Sequence, residues 1–146
     1  WYMFFFQHGL ADLVVGANNH AFIEMLWRDW SPGYDSSFDL EFVRKSLADP
    51  KNLQASLGYY RATLGEGYRD PQLSELQKEM GAGVPIQPLL YLHGANDGCI
   101  GADVVESAKS MAPANVKFEV VAAAGHFLQL EQPEKVNKLI CEFLAS

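Results

Sequence analysis

The stretch that decides the fold is residues 117–142, KFEVVAAAGHFLQLEQPEKVNKLICE. It opens with β-branched and aromatic side chains at residues 118–121, a pattern that predicts a short buried strand. Small residues follow as far as Gly125, and they allow the chain to turn sharply. His126 comes next, just past the carboxyl end of the predicted strand. Ligands and catalytic groups collect at this place in open α/β sheets, so His126 is a candidate catalytic residue.

The remainder of the same stretch predicts a helix. Pro133 is a favourable first residue of a helix. The apolar side chains beyond it recur at helical spacing, which predicts one buried face: Val136, Ile140, Phe143 and Leu144. His126 is therefore expected between a strand and a helix.

A second candidate residue, Asp97, lies upstream in the same kind of context. The apolar run at residues 89–92 predicts a strand, and the sequence HGAND at residues 93–97 carries Asp97 past its end. Residues 103–111 can form a helix that connects the two strands, which makes a right-handed βαβ unit with parallel strands. Asp97 and His126 then emerge at the same edge of the sheet, where the carboxylate can orient the imidazole as a general base.

The motifs around these two residues resemble those of a known family. Residues 94–97 read G-x-x-D, and residues 125–133 read G-H-x-x-x-x-E-x-P. In α/β-hydrolases such motifs follow strands seven and eight of the sheet, and residues 88–142 are similar to the C-terminal quarter of that fold. The resemblance implies that Asp97 is the acid and His126 the base of a catalytic triad.

The first 80 residues carry helical patterns. The predicted helices are one that begins near Asn18 or Asn19 and carries Ile23, Leu26, Trp27 and Trp30, one over residues 39–47, and two that begin at Asp49-Pro50 and Asp70-Pro71. This helical segment resembles the cap of epoxide-hydrolase-like and dehalogenase-like α/β-hydrolases.

The predicted fold class is therefore α/β. It is a partial α/β-hydrolase fold, in which a mostly helical cap precedes a βαβα unit with parallel strands. The cap segment covers residues 1–80, and the C-terminal part of the hydrolase core covers residues 81–146. The sequence Gly-Ala-Gly at residues 81–83 is the predicted hinge, after which the chain enters the sheet at residues 84–92.

The resemblance also implies candidate substrate-binding residues in the cap. In epoxide hydrolases of this fold, two cap tyrosines donate hydrogen bonds to the epoxide oxygen as charge develops on it. Tyr60, which precedes Arg61, matches one of these positions, and Phe5 stands at the other without a hydroxyl group. Trp27 on the predicted cap helix is the third candidate. Tyr60 and Trp27 could equally be part of the helical core. Because Phe5 has no hydroxyl group to donate to an epoxide oxygen, an ester remains an alternative substrate to an epoxide.

No nucleophile motif accompanies the candidate acid and base. The sequence contains neither the G-x-S-x-G nor the G-x-D-x-G elbow, and no H-G-x-P loop. Cys99 lies two residues after Asp97, and a thiol near an imidazole can be activated, although a small apolar residue in a turn is the favoured interpretation. Two hypotheses remain: a hydrolase of small apolar epoxides, esters or halides whose nucleophile another chain supplies, or a catalytically inactive, oligomeric or ligand-binding remnant of that fold.

Composition and charge exclude several classes of binding partner and cofactor. The chain has 146 residues and a formal net charge of −7, without a basic cluster, which argues against nucleic acid or an anionic membrane as a partner. Cys99 and Cys141 form no spaced framework, and His20 with Glu24 lacks a third ligand nearby. The sequence therefore predicts no metal, no cofactor and a cytoplasmic location.

The predicted sheet needs neighbours. Parallel strands are normally buried and paired at their edges, so two of them alone leave backbone groups without partners. We expect a homodimer, the commonest symmetric solution, or a complementing chain that carries the N-terminal half of the fold. On this interpretation the chain is truncated relative to an α/β-hydrolase.

Overall fold

The computed structural model describes residues 1–81, 83 and 85–146. By its contacts the chain forms two compact units. The first unit comprises Trp1–Met25 and Ser36–Gly83, and the second comprises Leu26–Asp35 and Val84–Ser146. The predicted hinge and the predicted entry to the sheet include positions 82 and 84, which lie outside the described residues. The predicted division into a cap at residues 1–80 and a part of the hydrolase core at residues 81–146 stays a prediction.

The first unit is helical. Its elements are α1 (Tyr2–Phe5), α2 (Ala11–Trp30, whose last residues from Leu26 belong to the second unit), α3 (Ser37–Leu47), α4 (Pro50–Leu64), a 3-10 helix (Pro71–Leu73) and α5 (Ser74–Gly81). Asp49 begins α4 as predicted, because its Oδ1 accepts the Lys51 backbone N–H at 2.9 Å. Asp70 holds the start of the 3-10 helix in the same way, through the N–H of Gln72 at 2.9 Å.

The predicted helix start near Asn18 or Asn19 falls at a kink in α2. Two helical segments meet there, separated by residues 17–20, whose φ/ψ angles are not helical, and the second segment, which carries Trp27 and Trp30, begins after His20. At the kink Asn18, Asn19 and His20 adopt positive φ angles of 50°, 54° and 59°. Asparagine tolerates this left-handed region better than most residues do, which suits it to the kink. The first segment, from Ala11, was not predicted.

Arg61 of α4 joins three elements of the first unit. Its Nη2 lies 2.5 Å from Asp12 Oδ2 on α2, and its Nε donates to the Phe6 carbonyl after α1 at 3.0 Å. The hydrogen bond from this guanidinium holds the pKa of Asp12 below its ordinary value of 3.8. The first unit also contains buried apolar side chains: Phe6, Ala11, Val15, Leu40, Leu53 and Leu57.

The second unit contains the sheet. Strands β1 (Leu89–Gly94) and β2 (Val116–Val121) pair in parallel, and helix α6 (Ala102–Met111) lies between them in the chain. Helices α7 (Leu128–Glu131) and α8 (Pro133–Leu144) follow. The predicted α/β class and the parallel βαβα order are confirmed.

The buried face of α8 is displaced from the predicted one. Val136 and Leu139 are buried, together with Val121 and Ala124, and Leu92 and Leu128 pack against them. Ile140 and Leu144 remain 39% and 77% exposed, so they do not form the core face. Residues three or four positions apart both lie on one face of a helix. After Val136 the predicted face continues to Ile140, four positions on, whereas the packing buries Leu139, three positions on. Among the described residues, none of the helices combines the length and apolar character that crossing a membrane requires.

Candidate active site

The loops that follow β1 and β2 are joined to each other. Gly94 lies opposite Val121 in the sheet, and beyond them the Ala95 N–H donates to the Val121 carbonyl at 2.9 Å. The Asn96 N–H then donates to the Ala124 carbonyl at 2.8 Å. A Cβ atom at Gly94 would lie only 2.0 Å from the carbonyl oxygen of Gly125, so this approach requires glycine. The two loops therefore leave the sheet side by side.

This arrangement brings the predicted acid and base into contact. Asp97 Oδ2 lies 3.0 Å from His126 Nδ1, across 29 sequence positions. Asp97 Oδ1 accepts two backbone N–H groups, from Cys99 at 2.7 Å and Ile100 at 3.0 Å. The Asp97 side chain is only 5% exposed, whereas that of His126 is 29% exposed. The carboxylate is therefore fixed at both oxygens, and the imidazole keeps a path to solvent.

The contact defines the roles of the imidazole nitrogens. When Nδ1–H donates to Asp97, Nε2 of His126 carries a lone pair that can accept a proton. The ring of Trp30 meets the imidazole edge-on, with centroids 5.0 Å apart, and the ring of Phe127 does so at 5.2 Å. Trp27 stacks on Phe127 with centroids 3.9 Å apart. His126 therefore lies beside an apolar aromatic surface.

Glu131, the glutamate of the histidine motif, holds the backbone on both sides of His126. Its Oε2 accepts the Gly125 N–H at 2.7 Å, and its Oε1 accepts the Phe127 N–H at 3.1 Å. The hydroxyl of Ser31 also donates to Oε1, at 2.7 Å. The sequence motif includes Glu131 but does not reveal its role, and the sequence around Ser31, which is 1% exposed, does not indicate that its side chain contacts Glu131.

The carbonyl oxygen of Trp30 connects the acid's loop to the base's loop. It accepts the N–H of Gly98, one residue after Asp97, and the N–H of His126, each at 3.1 Å. A Cβ atom at Gly98 would lie 2.0 Å from the Asp29 carbonyl oxygen, so glycine is required at this approach also. Residues at the end of α2 thus position both members of the pair.

His93 is a further group near the acid that the sequence does not single out. It is 4% exposed, and its Nε2 lies 2.9 Å from the Ile100 carbonyl and 3.7 Å from Asp97 Oδ2. Its Nδ1 lies 3.3 Å from the Tyr91 hydroxyl. His93 therefore supports the loop that carries Asp97.

The candidate substrate residues fall in both units. Trp27 belongs to the second unit, next to the residue that follows His126. Phe5 and Tyr60 belong to the first unit, where both contact the ring of Phe6, at 6.1 and 5.0 Å between centroids. A role of these three residues in binding a substrate stays a prediction.

Cys99 lies close to the acid and the base. One donor atom each of Asp97, Cys99 and His126 can be chosen so that all three lie within 4.8 Å of one another. Cys99 and Cys141 form no disulfide within the described residues. The site thus offers an oxygen, a sulfur and a nitrogen donor of the kinds that bind divalent metals.

Comparison with known proteins adds a family to this geometry. Residues 4–133 match the family described as alpha/beta hydrolase fold. Epoxide hydrolase 1 of Caenorhabditis elegans is 26% identical over 152 residues, which cover 99% of this chain and 35% of the relative. Epoxide hydrolase 3 of Xenopus tropicalis is 28% identical over 123 residues, which cover 73% of this chain and 33% of the relative. The chain spans about a third of the length of these curated relatives.

Solved structures share the same fold. A protein of Klebsiella pneumoniae that is provisionally described as an epoxide hydrolase superposes with a TM-score of 0.80 and 23% identity, over 98% of this chain and 48% of its own. The Cif epoxide hydrolase of Acinetobacter nosocomialis gives a TM-score of 0.72 and 19% identity, over 99% and 44% of the two chains. At these identities the likeness shows the fold alone.

Proposed function

Because the chain belongs to the alpha/beta hydrolase fold family, we propose that it supplies the acid and the base of an epoxide-hydrolase-like active site. His126 is the base and Asp97 is the acid that orients it. The observation that carries the proposal is the 3.0 Å contact between Asp97 Oδ2 and His126 Nδ1, with the other carboxylate oxygen held by two backbone N–H groups. The names of the curated relatives support an epoxide as the substrate class, ahead of an ester.

The two residues act in the second half of a two-step hydrolysis. A carboxylate nucleophile first opens the epoxide and forms a covalent ester with it. Nε2 of His126 then takes a proton from water, and the resulting hydroxide attacks the carbonyl carbon of the ester. The bond from this carbon to the product oxygen breaks, the imidazolium returns its proton to that leaving oxygen, and the second proton of water replaces the one that the epoxide oxygen took up on ring opening, so that the diol leaves and the carboxylate is regenerated. Asp97 stabilises the imidazolium that forms and keeps Nε2 directed at the water.

The elbow motif does not occur in these 146 residues, and the proposed source of the nucleophile is a complementing polypeptide segment that carries the N-terminal half of the fold. Tyr60 is proposed to donate its hydroxyl hydrogen to the epoxide oxygen, and Phe5 and Trp27 to contact the apolar part of the substrate. The competing hypothesis is an inactive remnant that retains the pair without turnover, and the missing elbow motif favours it for the isolated chain.

The two hypotheses differ in a direct assay. The purified chain is mixed with a polypeptide that carries the strands and the nucleophile of a related epoxide hydrolase, and styrene oxide hydrolysis is followed. We expect diol formation that is lost in His126→Gln and retained in His8→Gln, a matched change at an exposed histidine of the first unit. Absence of diol in the mixture, or equal rates for both variants, would contradict the proposed function.

A further inference from the structure

Asp97, Cys99 and His126 form a cluster with a second chemical capacity. We propose that these three side chains bind a thiophilic divalent cation of the zinc class, and that the bound ion blocks the base. The cluster offers one carboxylate oxygen, one sulfur and one imidazole nitrogen, all within 4.8 Å of one another. The sequence predicts no metal, because it contains no spaced cysteine framework and no third ligand beside His20 and Glu24.

The distances suit a tetrahedral ion after a small adjustment. Bonds of about 2.0–2.3 Å to zinc place its donor atoms roughly 3.3–3.7 Å apart. Asp97 Oδ2 and His126 Nδ1 already lie 3.0 Å apart and need only to separate slightly. All three donor atoms lie within 4.8 Å of one another, so no pair has to close by more than about 1 Å, which rotation of the side chains can supply.

The second coordination shell is already in place. The N–H groups of Cys99 and Ile100 hold Asp97 Oδ1, which leaves Oδ2 facing Nδ1 of His126. Hydrogen bonds of this kind orient the carboxylate ligands of metal sites. The 29% exposure of the His126 side chain provides an entry path for the ion.

Charge also favours a divalent cation. A carboxylate and a thiolate together carry two negative charges, which match the charge of Zn²⁺, and three protein ligands leave the fourth position to water. Among the described residues, the ion pairs to Asp97 come from His93 and His126 only, so no lysine or arginine competes there for the carboxylate.

Binding of the ion and hydrolysis exclude each other. The ion takes the carboxylate lone pair that accepts from His126 Nδ1, and it fixes the imidazole as a ligand. His126 can then no longer orient toward water and accept its proton. The binding itself does not depend on the proposed function, whereas the inhibition rests on it.

Cobalt is the probe that separates the two statements. Co²⁺ bound to a thiolate gives a near-ultraviolet charge-transfer absorption, so its titration reports on the cysteine without any turnover. We expect saturation at one Co²⁺ per chain, displacement by Zn²⁺, and no comparable binding of Mg²⁺, which prefers oxygen donors. Cys99→Ser is expected to abolish the absorption and to weaken Zn²⁺ binding at least about tenfold.

Matched variants make the result decisive. Cys141→Ser alters the other cysteine, which is exposed, and should bind as the unchanged protein does, whereas His126→Gln should lose the absorption. Circular dichroism confirms that each variant is folded, and Cys99→Ala is the second choice if the serine variant is not. An absent absorption in the unchanged protein, or one that survives in Cys99→Ser, would overturn the site. Metal binding without diol formation would overturn the proposed function and leave the site standing.

Discussion

Glu131→Gln replaces one carboxylate oxygen by an amide nitrogen and leaves the shape of the side chain almost unchanged. The carboxylate accepts three hydrogen bonds, from the N–H groups of Gly125 and Phe127 and from the hydroxyl of Ser31. A glutamine retains a single acceptor oxygen. If that oxygen still accepts the hydrogen bonds from the Phe127 N–H and the Ser31 hydroxyl, the amide N–H₂ group faces the N–H of buried Gly125. Two hydrogen-bond donors then face each other without an acceptor.

The magnitude follows from the bonds that change. Hydrogen bonds to charged groups contribute about 1.5–3 kcal/mol each, and a buried donor without an acceptor costs about 1–3 kcal/mol. One hydrogen bond is lost, and the other two are then made to an uncharged acceptor. We therefore expect the free energy of unfolding to fall by about 2–4 kcal/mol. This is a large part of the roughly 5–15 kcal/mol that stabilises an ordinary domain.

Urea unfolding measures the effect. Tryptophan fluorescence and far-ultraviolet circular dichroism are followed together, and the midpoint should move to lower urea while the slope stays constant. Glu134→Gln is the matched control, because it removes the same charge at an exposed position in the first turn of α8 and should change stability by no more than about 0.5 kcal/mol. A Glu131→Gln midpoint equal to that of the control would refute the reasoning.

Three further outcomes are expected. Gly94→Ala should lower the free energy of unfolding by about 3 kcal/mol, because its Cβ would lie 2.0 Å from a carbonyl oxygen; Gly58→Ala, with nothing within 4 Å, should raise it by about 1 kcal/mol, and equal denaturation midpoints would contradict this. The lowered pKa of Asp12 means that its pairing with Arg61 stabilises the fold above the unfolded pKa and is lost as pH falls through the folded one. The stability difference between the unchanged protein and Arg61→Gln should therefore shrink by up to about 1 kcal/mol as pH falls from about 6 to below the folded pKa of Asp12, while the part that comes from the hydrogen bond between Arg61 Nε and the Phe6 carbonyl remains; a difference that grows with acid would be inconsistent. Gel filtration at micromolar concentration should give the mass of a dimer, and the mass of one protomer would rule the dimer out.

The contact between Asp97 and His126 was predictable because the position of each residue depends on local sequence. A strand, a turn and a helix surround each residue, and parallel strands end at the same edge of a sheet. These facts alone bring Asp97 and His126 together. The start of α4 at Asp49 was predictable for the same reason, since a cap contacts its own first turn.

Other features depend on distant contacts that no local pattern contains. Ser31 reaches Glu131 across 100 sequence positions, and a single serine before a proline indicates a turn and nothing more. The buried face of α8 was predicted incorrectly for a related reason, because the position of Leu139 against β2 is decided by packing and not by spacing. The helical segment of α2 from Ala11 to the kink at residues 17–20 was not predicted at all.

The shared carbonyl of Trp30 has a consequence for protein engineering. A chimera that exchanges the helical segment of this chain for another should be joined before Leu26, inside α2, and not at the loop where the helix ends. Residues 26–35 would then travel with the acid and the base, and the peptide group that both loops use would come from the same parent as they do.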